Sequence, residues 1–116
     1  MNIQSETFQL PSHCPDAAAL ALRLGALSHP ARIAILQYLA GVEACCCKDV
    51  VERLDLAQST VSQHLKVLVE AGLVRLTPGR PRSRYEVDRD AIAILSDAMS
   101  RLFDTCGTKP SMPAAG

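Results

Sequence analysis

Residues Lys48–Leu76 read KDVVERLDLAQSTVSQHLKVLVEAGLVRL and contain two helical patterns separated by a break. Apolar residues at helical spacing predict a short helix over Lys48–Leu54 and a longer one over Ala57–Ala71, with Asp55-Leu56 as the turn between them. Gly72 is expected to end the second helix, because glycine tolerates the left-handed conformation found at helix C-termini. The stretch is therefore predicted to form two helices joined by a tight turn.

The two faces of the longer helix carry different side chains. Four apolar residues at i, i+4, i+7 and i+8 spacing predict a buried stripe: Val61, Leu65, Leu68 and Val69. At about 100° per residue, the opposite face carries hydroxyl, amide and cationic groups: Ser59, Ser62, Gln63 and Lys66. Such groups can read base edges and bind phosphates in a major groove, although an ordinary solvated helix face has a similar composition.

A predicted β-hairpin follows, with apolar-rich strands over Leu73–Thr77 and Ser83–Val87 around the turn Pro78–Pro81. Its arginines could lie along a DNA backbone or enter a minor groove. The combination predicts a mainly α fold with a β-hairpin, the winged helix-turn-helix, and double-stranded DNA as the partner. The predicted DNA-contacting residues are Gln58, Ser59, Thr60, Ser62, Gln63, His64 and Lys66 in the helix and Arg80, Arg82 and Arg84 in the wing.

The overall charge supports this interpretation once it is divided along the chain. The 116 residues have a net charge of zero, but Gln58–Arg84 contains five cations and one acid and is therefore at +4. The remainder must total −4, so the basic end of the protein is the predicted DNA-binding segment. With 48% hydrophobic and only 3% aromatic residues, a single small domain should have an aliphatic core.

Other function classes find little support in the sequence. There is no apolar run of about 18 residues and no basic-then-apolar leader, so a cytoplasmic protein with no membrane partner is expected. Its five cysteines should then be reduced and available as thiols or ligands. No nucleophile–base pair, glycine-rich phosphate loop or paired acids in a plausible cleft are apparent, which argues against an enzyme.

The flanking segments predict the domain organisation. Residues 1–15 should be a flexible N-terminal arm, residues 16–106 the DNA-binding and dimerisation domain, and residues 107–116 a disordered tail. Asp16 is a plausible cap for a helix over Ala17–Leu27, which is apolar nearly all round and must be buried on more than one face. The next helix should begin at Ser28-His29-Pro30, with His29 as a cap or surface residue, and end at Gly41.

Asp88 can cap a last helix over Arg89–Asp104. Its apolar stripe is interpreted as a dimer face that pairs with the first helix, so that a homodimer forms through the first and last helices. The stripe comprises Ile92, Leu95, Met99, Leu102 and Phe103.

Three segments of the chain resemble the ArsR/SmtB family of metalloregulatory repressors: LGALSHPARIAILQYL, ACCCKDVVERLDLAQSTVSQHLKVLVEAGLV and SRYEV. The resemblance extends over about residues 20–102. It implies a homodimeric winged-helix repressor that occupies operator DNA when empty and leaves it when a metal or metalloid binds.

The resemblance also assigns a role to the cysteines. Many arsenic-responsive members place a Cys-x-Cys pair before the recognition helix, and here Cys45 and Cys47 match it, with Cys46 between them. Some members have a third cysteine three residues later, where this chain has Val50. Other members recruit a cysteine from the N-terminal arm or the C-terminal helix. The candidates for that role in this chain are Cys14 and Cys106.

Elsewhere in the family, metal sites on the last helix use Asp and His. Here that helix has Asp90, Asp97 and Asp104 but no His, so zinc or cobalt is not expected there.

Thiolates select soft ions, which makes As(III) or Sb(III) the expected inducer, with no permanently bound cofactor. Cys45 and Cys47 would lie on the same side of an extended chain but about 200° apart on a helix. Chelation by both should therefore unwind the first turn before Lys48. Three alternatives stay open: thiol redox or persulfide sensing, small buried hydrophobes, and a DNA-binding protein without a ligand.

Overall fold

The computed structural model describes residues 17–110, which form five helices and one β-hairpin. This confirms the predicted mainly α fold with a wing. The predicted arm, the cap at Asp16 and residues 111–116 lie outside the described residues. The elements are α1 (Ala17–Ala26), α2 (Pro30–Ala40), α3 (Cys47–Leu54), α4 (Gln58–Glu70), β1 (Val74–Thr77), β2 (Arg84–Val87) and α5 (Arg89–Gly107).

Local capping explains where several helices begin and end. The His29 Nδ1 accepts the Ala31 N–H at 3.0 Å and Pro30 occupies the first turn, so His29 caps α2 as expected. Asp88 caps α5 by accepting the Ala91 N–H at 3.0 Å. Gly72 follows α4 with a φ of 81°, a left-handed conformation that suits glycine. The sequence predicted the roles of Asp88 and Gly72 and gave His29 as a cap or surface residue.

The core lies where α2, α3, α4 and the hairpin meet. Its fully buried side chains are aliphatic, as the composition predicts: Ile35, Leu39, Val50, Val61, Leu65, Leu68, Leu73 and Val74. Within residues 17–110, no single helix is long and apolar enough to cross a membrane, and α1 and α2 reach that length only together, across a 91° bend.

Part of the apolar stripe of α5 is buried within the protomer, which corrects the prediction that all of it forms a dimer face. Leu95 is only 5% exposed and belongs to the core of the protomer itself, where its burial stabilises the contact between α5 and the rest of the domain. Phe103 and Leu102 remain 57% and 40% exposed, and Ile94 beside the stripe is 59% exposed. The helix also runs past the predicted Asp104 to Gly107 and therefore includes Cys106.

The wing is joined to the segment that precedes α3. Strands β1 and β2 are antiparallel, with Arg75 opposite Glu86 and their side chains 3.6 Å apart. On the other edge of β2, Cys45 and Tyr85 exchange two backbone hydrogen bonds, with N···O distances of 3.0 and 2.7 Å. The backbone at Cys45 thus forms an isolated antiparallel bridge to the wing.

Candidate nucleic-acid interface and cysteine site

The outward face of α4 is the one predicted. Ser59, Ser62, Gln63 and Lys66 are exposed, whereas Val61, Leu65 and Leu68 on the opposite side are fully buried. Gln58 and Thr60 at the start of the helix are also exposed. The helix therefore presents a continuous polar surface with one cation, the chemistry that major-groove recognition requires.

His64 is also one of the predicted DNA-contacting residues, but it does not lie on the outward face of α4. It is half-buried on the flank of α4, and its Nδ1 accepts a hydrogen bond from the Arg32 Nε at 3.2 Å. Its ring centroid lies 4.5 Å from that of His29. Burial lowers the pKa of His64, and the neighbouring His29 and Arg32 lower it further. His64 thus faces α2, a contact that sequence periodicity could not reveal.

The wing arginines also differ from one another. Arg80 and Arg82 are exposed around the tip. Arg84 is exposed too, but its guanidinium donates a hydrogen bond to the Ala44 carbonyl at 3.1 Å. One of its donors is therefore already used, and it links the wing to the segment that leads into the cysteines.

The three consecutive cysteines lie where this segment turns into α3. Cys45 is 4% exposed, and burial raises the pKa of its thiol to about 11, with Asp49 and Cys46 adding to the shift. Cys46 is the N-cap residue of α3 and is also buried. Cys47 is half-buried in the first turn, and its Sγ lies 3.5 Å from the Ser62 Oγ on α4. The cysteines therefore contact both predicted DNA-binding elements.

Asp49 secures the start of α3. Its carboxylate accepts hydrogen bonds from the Cys46 N–H at 3.1 Å and from the Cys46 thiol at 3.4 Å. These bonds hold the pKa of Asp49 below its usual range, and the positive charges of Arg82 and Arg84 in the wing add to the effect. The spacing of an acidic residue three positions after the N-cap is the sequence signal that could have identified this contact.

The predicted thiol ligands are not gathered into one site in this conformation. Within residues 17–110, no group of three His, Cys, Asp or Glu side chains is arranged to hold a metal ion. Cys106 is exposed near the end of α5, and Cys14 lies outside the described residues. Of the five predicted ligands, the structure brings Cys45, Cys46 and Cys47 to the junction of the wing and the helix-turn-helix.

Comparison with known proteins agrees with this architecture. Residues 27–77 match the family described as "Helix-turn-helix domain". The chain is 34% identical over 94 residues to the biofilm growth-associated repressor of Agrobacterium fabrum, covering 81% of this chain and 80% of that protein. It is 34% identical over 71 residues to the arsenical resistance operon repressor of Staphylococcus xylosus, covering 61% and 67%.

A solved structure supports the fold. The homodimeric winged helix-turn-helix DNA-binding domain of a possible ArsR-family regulator from Mycobacterium bovis superposes with a TM-score of 0.65 at 21% identity, covering 85% of this chain and 91% of that one. Fold and interface together define a DNA-binding transcriptional regulator of the winged helix-turn-helix class. The sequence relationships place it more narrowly, and the chain belongs to the ArsR/SmtB family of transcriptional repressors.

The exposed amide of Gln63 leads to a first prediction. We expect Gln63→Ala to lose about 1–3 kcal/mol of specific operator affinity, the usual scale for a base contact, and to bind random duplex DNA normally because no charge is removed. Fluorescence anisotropy with both duplexes at fixed salt measures the two affinities. Wild-type operator affinity in this variant would mean that this face of α4 does not read bases.

Arg82→Ala provides the contrasting variant in the same assay. Removing a phosphate-binding cation should weaken operator and random DNA alike and reduce the salt dependence of binding. Arg75→Ala is the matched control, because Arg75 is ion-paired with Glu86 on the strands away from the wing tip.

Proposed function

We propose that this repressor leaves its operator when As(III) or Sb(III) is bound by the thiols of Cys45 and Cys47. The third thiol comes from Cys14, Cys106 or Cys46, in that order of preference. The partners are double-stranded operator DNA and a second copy of the chain, and no cofactor is permanently bound. The relationship to an arsenical resistance operon repressor supports the choice of inducer.

The observation that carries this proposal is the position of the two thiols. Cys45 is hydrogen-bonded through its backbone to Tyr85 in the wing. Cys47 contacts Ser62, which is on the outward face of the recognition helix α4. A ligand that draws the two sulfur atoms together therefore acts on both DNA-contacting elements at once.

The backbone geometry explains why such a ligand would oppose DNA binding. Cys45 is in an extended segment, Cys46 is extended at φ −94° and ψ 168°, and Cys47 begins the helix. Chelation of one ion by Cys45 in the extended segment and Cys47 in the helix requires a backbone arrangement that brings their sulfur atoms together. An inducer shifts the equilibrium between two conformations only by binding one of them more tightly than the other. Here the conformation that binds the inducer less tightly is the one in which α3 and the wing are intact.

The raised pKa of the Cys45 thiol favours As(III) over a divalent cation. Arsenite is the neutral acid As(OH)₃ near neutral pH, and each As–S bond forms as an As–O bond breaks, with the thiol proton leaving in water. No net proton is released, so the raised pKa of Cys45 does not oppose the exchange. A cation such as Cd(II) must displace the thiol protons into solution, which a raised pKa disfavours.

The raised pKa of Cys45 also bears on the alternative of thiol redox or persulfide sensing. That chemistry begins with attack by a thiolate. Cys45 is buried with a raised pKa and is therefore a poor attacking group.

The proposed homodimer rests on apolar surface that the protomer leaves uncovered. Leu22 on α1 and Phe103 on α5 are 63% and 57% exposed. Phe103 also borders an apolar groove of about 390 Å³ between α2 and α5, which Leu27, Leu36 and Met99 help to line. Such surface is typical of an interface, and the related M. bovis domain is homodimeric.

The test is a titration of the reduced repressor on a fluorescent operator with arsenite, antimonite, Cd(II) and polysulfide. Release by arsenite or antimonite, with thiol-bound arsenic in the mass spectrum, supports the proposal. Release by polysulfide alone, with a disulfide or persulfide in the spectrum, would favour the redox alternative. Unchanged regulation after replacement of all five cysteines would favour a DNA-binding protein whose thiols sense nothing.

A further inference from the structure

The side chain of Arg32, on α2, connects three helices. Its Nε donates to the His64 Nδ1 on α4 at 3.2 Å. Its Nη1 donates to the carbonyl oxygens of Gly25 and Ala26, at 3.4 and 3.3 Å, where α1 ends. The last carbonyls of a helix have no partners within it. The Gly25 carbonyl also accepts from the Ser28 N–H and hydroxyl, at 3.1 and 2.7 Å, so the guanidinium adds to those bonds and binds the Ala26 carbonyl while it contacts the flank of α4.

We propose that Arg32 is a positioning residue for operator binding, which holds the recognition helix in a fixed orientation to α1 by donating a hydrogen bond to neutral His64. This inference rests on DNA binding and on the proposed dimer through α1. It does not depend on the identity of the inducer.

The contact requires a particular state of His64. An arginine side chain has donors but no acceptor and remains charged, so the bond exists only while the His64 Nδ1 carries a lone pair. The His64 proton is then on Nε2. Protonation of Nδ1 removes the acceptor and places two cations side by side. Arg32 on α2 and His29 at its start are the titratable or charged groups that face His64 within residues 17–110.

The orientation of α4 matters because a dimeric repressor must place two recognition helices at the spacing of two operator half-sites. In the proposed dimer, α1 belongs to the interface and α4 to the DNA surface. A link from the end of α1 to the flank of α4 therefore controls how the two recognition helices are presented together. Loss of this link should weaken the operator complex without preventing folding of the protomer.

The direction in which operator affinity changes with pH distinguishes this proposal from simple attraction between histidine and DNA. Because burial and its two neighbours lower the pKa of His64, the folded protein favours the neutral, bonded form. Acidification through the titration range of histidine should break the contact and weaken operator binding. Simple attraction between an additional imidazolium and DNA phosphates would strengthen binding instead, so the two explanations predict opposite changes.

The experiment measures operator affinity of the reduced, metal-free dimer between about pH 7.5 and about pH 5.5. His64→Gln is the test variant, because its amide oxygen can accept from Arg32 without titrating. His29→Asn is the matched control, because asparagine can still cap α2 while the second imidazole is removed. Relative to His64→Gln, the wild type and His29→Asn should each lose about threefold or more in affinity on acidification.

The proposal is overturned if the wild type and His64→Gln show the same pH dependence, or if acid strengthens wild-type binding relative to that variant. Arg32→Met gives an independent readout, because it keeps an apolar stem and removes every donor. If it folds and dimerises, it should bind operator more weakly than wild type and without the His64-dependent pH response. Full operator affinity with a wild-type pH profile in Arg32→Met would contradict the positioning role.

Discussion

Cys47→Ser repressor is expected to bind its operator as tightly as the wild type and to remain bound when arsenite is added. Cys47 is half-buried in the first turn of α3, and a serine hydroxyl can keep the contact with Ser62. The oxygen is a hard donor and does not replace a thiolate toward a soft metalloid. The measurement is operator anisotropy as arsenite is added, with circular dichroism to check folding.

Cys45 needs two variants because it is only 4% exposed. Cys45→Ser buries a hydroxyl, which costs about 1–3 kcal/mol when it finds no partner, whereas Cys45→Ala removes the thiol without adding a polar group. Both should lose release by As(III), and the alanine variant separates the loss of the ligand from the loss of stability. If the Cys45 and Cys47 variants are released as readily as wild type, the inducer site lies elsewhere.

The same assay distinguishes the candidates for the third thiol. Cys46→Ser should leave α3 intact, because serine is a good N-cap residue, so any loss of response reflects the missing thiol. Cys14→Ser should weaken the response. Cys106→Ser should do so only if α5 contributes to the site.

The second large effect concerns assembly. Phe103→Glu should convert the dimer to a monomer at micromolar concentration and weaken operator binding by on the order of a hundredfold, because linked half-sites bind as one unit. Phe103 is preferred to Leu95 as the site of the charge, since Leu95 is buried in the protomer core and its replacement would disturb folding. Light scattering and operator anisotropy measure the two effects.

Ala93→Glu is the matched control for this variant. Ala93 is an exposed apolar residue on the same helix, about 200° around it from Leu95. It should remain dimeric and bind operator as the wild type does. A monomeric Phe103→Glu protein that still binds operator tightly would contradict the dimeric account.

Much of the fold followed from periodicity. The phase of α4 was predictable because Val61, Leu65 and Leu68 repeat at helical spacing, and the cap residues His29 and Asp88 have the expected side chains. The division of the α5 stripe was not predictable. An apolar face identifies the side that must be covered, but not whether the protomer or a second copy covers it.

The contacts that define the candidate site are long-range and could not be predicted. The Cys45 segment pairs with Tyr85 through backbone atoms. Such a contact does not depend on the identity of the residues and therefore cannot be recognised in the sequence. The Arg32–His64 bond joins residues 32 positions apart. The cysteines were predicted as ligands, yet only the structure places Cys45 in an extended segment and Cys47 in a helix. This change of backbone conformation between them is what links their chelation to α3 and the wing.

The most direct measurement of this link is hydrogen exchange at the amides of Cys45 and Tyr85, each of which donates to the backbone carbonyl of the other residue and should therefore exchange slowly in the free repressor. If metalloid binding at Cys45 and Cys47 separates the wing from α3, arsenite should accelerate exchange at both amides in the wild type. It should leave them unchanged in Cys47→Ser and should leave the core amides of α4 protected. Wild-type protein that releases its operator on adding arsenite while both amides stay protected would contradict the account.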